Sequence, residues 1–96
     1  MTARQLFRFK DRQGEVILDM VLWALPAPDP DHPHGLKYRL YCGRSGKCLV
    51  RYDNETGKGD HRHYGDREEP YCFTSVEQLL TDFREDGTRL AGWRWR

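Results

Sequence analysis

Period-two alternation dominates the first half of the chain. Leu6-Phe7-Arg8-Phe9-Lys10 alternates apolar with polar, Asp11-Arg12-Gln13-Gly14 supplies turn residues, and an extended pattern resumes from Glu15 to Leu25. These two strands predict a hairpin. In the second strand Val16, Leu18, Met20 and Leu22 share one face and Ile17, Asp19, Val21 and Trp23 the other, which predicts a central strand covered at least partly on both sides. Residues 26–35 hold four prolines within Pro26 to Pro33, which remove ladder donors and predict a connecting loop. A second hairpin follows. Leu36, Tyr38, Leu40 and Cys42 line one face, Gly43 to Lys47 make the turn, and Cys48, Val50 and Tyr52 return. Lys37, Arg39, Leu49, Arg51 and Asp53 fall on the opposite, cationic face.

The second half is more broken. Asp60 to Tyr64 and Tyr71-Cys72-Phe73 read as short extended segments separated by the charged turn Gly65 to Pro70. One clear helix follows over residues 75–86. Thr74 with Glu77, or Ser75 with Gln78, forms a capping box, and Val76, Leu79, Leu80 and Phe83 recur at i, i+3, i+4 and i+7. Gly87 is its expected stop. The tail over 88–96 alternates Trp93 and Trp95 with arginine, and reads as an edge strand, a segment folded back on the core, or a partner interface. The expected fold is therefore α+β: an antiparallel sheet of about five strands packed against one main C-terminal helix.

Length sharpens this picture. Ninety-six residues suit one domain spanning 1–96, with three Trp, five Tyr and four Phe supplying much of a thin core. A two-domain enzyme is excluded. The apolar run from Val16 to Leu25 falls short of the ~20 residues that span a bilayer, so no membrane partner is expected. Three cysteines, Cys42, Cys48 and Cys72, are an odd number without a Cys-x-x-Cys pair, and Met-Thr-Ala-Arg-Gln is not a secretory signal. Both point to a reducing cytoplasm.

The formal charge of +1 looks too small for a nucleic-acid binder, but it is unevenly spread. Residues 36–67 hold eight Lys+Arg against four Asp+Glu, whereas residues 75–86 hold one against four. A basic sheet and an acidic helix share one small chain.

Chemistry concentrates between Arg51 and Pro70, with the charged functional loop placed at 54–70. On an extended Asp60 to Tyr64, His61 and His63 project to one face about 7 Å apart. Two imidazoles can divide the proton transfers of RNA cleavage by 2′-oxygen attack, which also needs fixed cations around the developing phosphorane charge. His61, His63 and Lys58 are thus the catalytic candidates. Arg51, Arg62, Asp53, Tyr52, Arg39 and Arg67 are the substrate-binding candidates. His-x-His is equally metal-ligand spacing, with Asp53, Asp60 or Glu69 as a third ligand, although no cofactor is favoured. A solvated loop of paired charges explains the composition too. A further reading is a non-catalytic module that holds nucleic acid or an acidic protein on the Lys37, Arg39 and Arg51 face, with Tyr41 and Tyr52 nearby.

The run from Arg51-Tyr-Asp-Asn to His61-Arg-His63, followed by Glu69-Pro70-Tyr71 and Leu79-Leu80-Thr81-Asp82-Phe83, resembles the TumE-type toxins of bacterial toxin–antitoxin systems, as does the Pro-rich loop entering Lys37-Tyr38-Arg39-Leu40. The resemblance covers about residues 6 to 90. It implies a short α/β toxin partnered by a helix-turn-helix antitoxin, similar in organisation to RelE-like mRNA-cleaving toxins. It also raises Arg51, Asp53, Lys58, His61, Arg62 and His63 above the solvated-loop reading without assigning their roles. Trp93 and Trp95 depart from the family pattern.

Overall fold

The computed structural model describes residues 2–55 and 57–95. It is an α+β fold in which six strands form one antiparallel meander: β1 (Arg4–Gln13), β2 (Val16–Ala24), β3 (Leu36–Arg44), β4 (Lys47–Asp53), β5 (His61–Tyr64) and β6 (Arg67–Pro70). Each strand pairs with its neighbour in sequence, and helix α1 (Val76–Ala91) packs mainly across β4 and β3.

Local chemistry explains the turns. Ser45 and Gly46 both have positive φ between Arg44 and Lys47, the pairing of a tight two-residue hairpin whose twist matches the strands. The charged turn expected at Gly65 to Pro70 contracts to Gly65-Asp66, because Arg67 to Pro70 pair back onto His61 to Tyr64 as β6. This hairpin accounts for the sixth strand. Tyr71 to Phe73 lie outside any strand and carry the chain to the helix.

The helix begins as expected, with Ser75 Oγ accepting from Gln78 N at 3.0 Å, but it runs past Gly87 to Ala91. Gly87 is a packing residue instead. It is buried, and a β-carbon there would sit 4.0 Å from Trp93 Cβ, at ordinary contact distance from the tail. The stop is Gly92, at φ 69°, whose N–H reaches Thr88 O while Trp93 N–H reaches Gly87 O. Residues 88–91 therefore belong to the helix rather than to the tail.

One side of the sheet forms the core. Val16, Leu18, Met20 and Leu22 of β2 meet Tyr38, Leu40 and Cys42 of β3 and Val50 and Tyr52 of β4, closed by Leu79 and Phe83 of the helix. The tail adds Trp93, only 2% exposed. The other face of β2 is only partly covered: Asp19, Val21 and Trp23 are half-buried there, while Ile17 is 40% exposed. A single helix and a short tail on one side of the sheet leave the opposite face open. No helix among the described residues is long and apolar enough to cross a membrane.

Candidate functional site

The antiparallel register decides which side chains meet on the open face. Asp53 pairs with His61 and Arg51 with His63 across β4 and β5, while Arg39 and Tyr41 of β3 pair with Asp53 and Arg51. Residues opposite one another point the same way. His61, His63, Arg51, Asp53 and Arg39 therefore come together on the side away from α1, with the two imidazole centroids 4.9 Å apart in an edge-on arrangement. They are closer than simple strand geometry predicts.

The two histidines differ in surroundings. His61 is 4% exposed, with Nδ1 2.9 Å from Gly59 O and Nε2 in contact with the Asp53 carboxylate. Both ring nitrogens face oxygen atoms. His63 is half-buried, and its Nε2 accepts from Arg51 Nη2 at 3.0 Å. Burial, reinforced by the Arg51 charge, holds the His63 imidazole below its ordinary range. Because a guanidinium can only donate, the His63 lone pair lies on Nε2 in this contact.

Asp53 is the anchor. Its side chain is 4% exposed, and its oxygens lie against His61 Nε2 and, at 2.8 Å, Arg51 Nε. Neither contact has the angle of a well-directed hydrogen bond. The Arg51 charge holds the carboxylate on one side, and the His61 ring packs against it on the other. Asp53, His61 and His63 are also a group whose ligand atoms all lie within 4.8 Å of one another. The guanidinium of Arg51 sits against both Asp53 and His63.

Lys58 borders the cluster on the loop between β4 and β5, 4.0 Å from Glu68, which itself lies 3.8 Å from His61. Glu68 was not legible as a site residue, because only the short β5–β6 turn brings it opposite His63. Arg8 and Lys10 on β1 also reach the open face, a placement already implied by their alternation with Phe7 and Phe9.

Three candidates are not brought there. Arg62 points to the helix side, donating to Glu69 at 2.6 Å and to Tyr52 Oη at 3.2 Å, with its guanidinium over the rings of Tyr52, Tyr64 and Tyr71. Tyr52 is fully buried and donates to Asp86 at 2.5 Å. Arg67, paired with Tyr64, stacks on that ring. These three join a network under the sheet whose hub is Asp86, which also accepts from Tyr64 at 2.6 Å and Arg89 at 2.8 Å. Other chemistry-bearing residues are likewise structural. Asn54 continues the ladder past β4 by bonding Tyr38 N and Leu36 O, and buried His32 ties the Pro-rich loop to Asn54 O at 2.9 Å. His34 and Tyr38 hold Asp60 just before β5.

No curated protein and no solved structure shows a match to the chain. The family model described as Toxin TumE matches residues 2–91. The chain belongs to that family of toxins.

Proposed function

We propose that this TumE-family toxin is an endoribonuclease that cleaves RNA by 2′-oxygen attack without a metal. The observation that carries the reading is the His61 and His63 pair, 4.9 Å apart on an open sheet face and ringed by Arg39, Arg51 and Lys58. His63 takes the proton from the ribose 2′-hydroxyl, and the 2′-oxygen attacks the adjacent phosphorus. The bond from phosphorus to the 5′-oxygen breaks, leaving a 2′,3′-cyclic phosphate and a 5′-hydroxyl. His61, held between Asp53 and Gly59 O, returns a proton to the departing oxygen. Arg51 and Lys58 offset the charge that builds on the phosphorane.

The family implies an antitoxin partner. A helix-turn-helix antitoxin that neutralises the toxin in the cytoplasm fits this reading. Purified protein incubated with RNA in EDTA should yield fragments ending in cyclic phosphate. A His61→Ala, His63→Ala double variant that still folds should yield none, and full cleavage by it would refute the assignment. Loss of wild-type cleavage on chelation alone would refute the metal-free reaction.

A further inference from the structure

We propose that the open face of the sheet is a binding track for single-stranded RNA, running across the strands from the histidine pair on β5 to Arg8 and Lys10 on β1. Its end point rests on the ribonuclease reading, whereas the binding itself does not. Two rows of paired residues cross the sheet: His61, Asp53, Arg39, Val21 and Arg8, and beside them His63, Arg51, Tyr41, Asp19 and Lys10. With strands about 4.8 Å apart, each row extends roughly 19 Å from the histidines, enough for several nucleotides.

The charge on this face is directed outward. Its two buried or half-buried carboxylates are already matched, Asp53 by Arg51 and His61 and Asp19 by Arg8 at 3.3 Å. Exposed Lys10, Lys37 and Arg39 form no ion pair among the described residues, which leaves three cations aimed at solvent along the track. The helix side carries mixed charge instead, with Arg84 and Arg89 exposed on α1 beside Glu77 and Glu85.

The face also carries a stacking surface. A β-carbon on Gly43 would lie 2.2 Å from Tyr41 Oη, so the Tyr41 ring lies down along the strand over a residue that has no side chain. Arg39 sits 5.3 Å from the same ring centroid, and half-buried Trp23 lies opposite Lys37. Flat aromatic rings among cations grip unpaired bases, which a duplex keeps stacked inside its helix.

The test is fluorescence anisotropy with a labelled 2′-O-methyl RNA, which binds but lacks the attacking hydroxyl. Binding should weaken steeply with salt. Lys10→Ala, Lys37→Ala and Arg39→Ala should each reduce the log–log salt slope by about 0.7, the value for one phosphate contact on a single strand. Tyr41→Ala should weaken binding roughly tenfold or more with little change of slope. Arg84→Ala on the helix should leave both unchanged. A slope unaltered by the Lys10 and Arg39 changes overturns the track, and a duplex of equal length bound as tightly overturns its single-strand preference. Binding that follows this pattern without any cleavage of unmodified RNA upholds the track and refutes the ribonuclease reading; cleavage with unchanged slopes does the reverse.

Discussion

Replacing Asp86 with alanine should cost this protein about 2–4 kcal/mol of stability. Asp86 accepts hydrogen bonds from Tyr52, Tyr64 and Arg89 at 2.5, 2.6 and 2.8 Å. Tyr52 is fully buried, so its hydroxyl would lose an acceptor where water does not readily replace it, worth about 1–3 kcal/mol. Tyr64 is half-buried and can partly recover with solvent, and the Arg89 side chain is 62% exposed, so solvent screening leaves its ion pair little weight. Against the roughly 5–15 kcal/mol that holds a small domain, the loss is large. Urea denaturation followed by the fluorescence of buried Trp93 measures it directly. Combining Asp86→Ala with Tyr52→Phe should recover part of the cost, because the orphaned donor is then gone. A cost below about 0.5 kcal/mol, or strict additivity in that cycle, would refute the hub.

The same hub fixes a pH dependence. Burial pushes the Asp86 carboxyl up, but hydrogen bonds from Tyr52, Tyr64 and Arg89 outweigh it and hold the group below the ordinary 3.8. Its folded-state pKa is thus depressed. The stabilisation is fully present above the unfolded value near 4 and is lost as the pH falls through the lower folded value. The gap between wild type and Asp86→Ala should therefore close in strong acid and stay constant from pH 5 to 8. Tyr52→Phe, assayed well below its melting temperature, should lose stability but keep the cleavage rate, since Tyr52 faces the helix and not the histidines.

The remaining expectations concern the open face and the tail. His63→Ala should lower the RNA cleavage rate by roughly 10²–10⁴-fold while circular dichroism and melting stay near wild type, and a normal rate would remove His63 from the proton transfers. Gly43→Ala meets Tyr41 Oη at 2.2 Å and the Lys47 backbone oxygen at 2.7 Å, so it should destabilise by about 1–3 kcal/mol in a melt. Trp93→Ala should cost about 3–5 kcal/mol, against a much smaller loss for Trp95→Ala; equal losses would mean the tail is not part of the core.

Sequence patterning made the sheet and the helix face legible because both are periodic. The alternation of Leu36 to Cys42 and of Val50 to Asp53 placed Tyr38, Leu40, Val50 and Tyr52 in the core and Lys37, Arg39, Arg51 and Asp53 on the far side, as the structure has them, but a register shift opposite Cys42 and Gly43 breaks the pattern at Leu49, which packs on the core instead of the cationic face. Period two likewise put His61 and His63 on one side of β5 and Arg62 on the other. Patterning failed where a residue's role depends on a partner distant in the chain. Gly87 reads as a helix stop by local rules, yet it lies buried inside the helix, and the left-handed cap falls at Gly92, next to the buried Trp93. Tyr52 and Arg62 read as ligand-binding residues because their neighbours do, yet their faces turn them toward Asp86, 34 and 24 residues further on.

By itself the sequence determined which residues could share a face, since the two-residue repeat of a strand and the 3.6-residue repeat of a helix are properties of the backbone alone. It also determined that a basic segment and an acidic one coexist within a net charge of +1. Tertiary structure decided the rest. Register across β3, β4 and β5 set Asp53 against His61 and Arg51 against His63, and a register one residue off would have sent those side chains to the helix side. Placing the helix and tail on a single side of the sheet buried Tyr52 and Trp93 and left Arg39, Tyr41 and His63 at least partly exposed on the other, where His61 lies buried beside them. Which face is covered depends on contacts between elements far apart in the chain, and no local pattern encodes that choice.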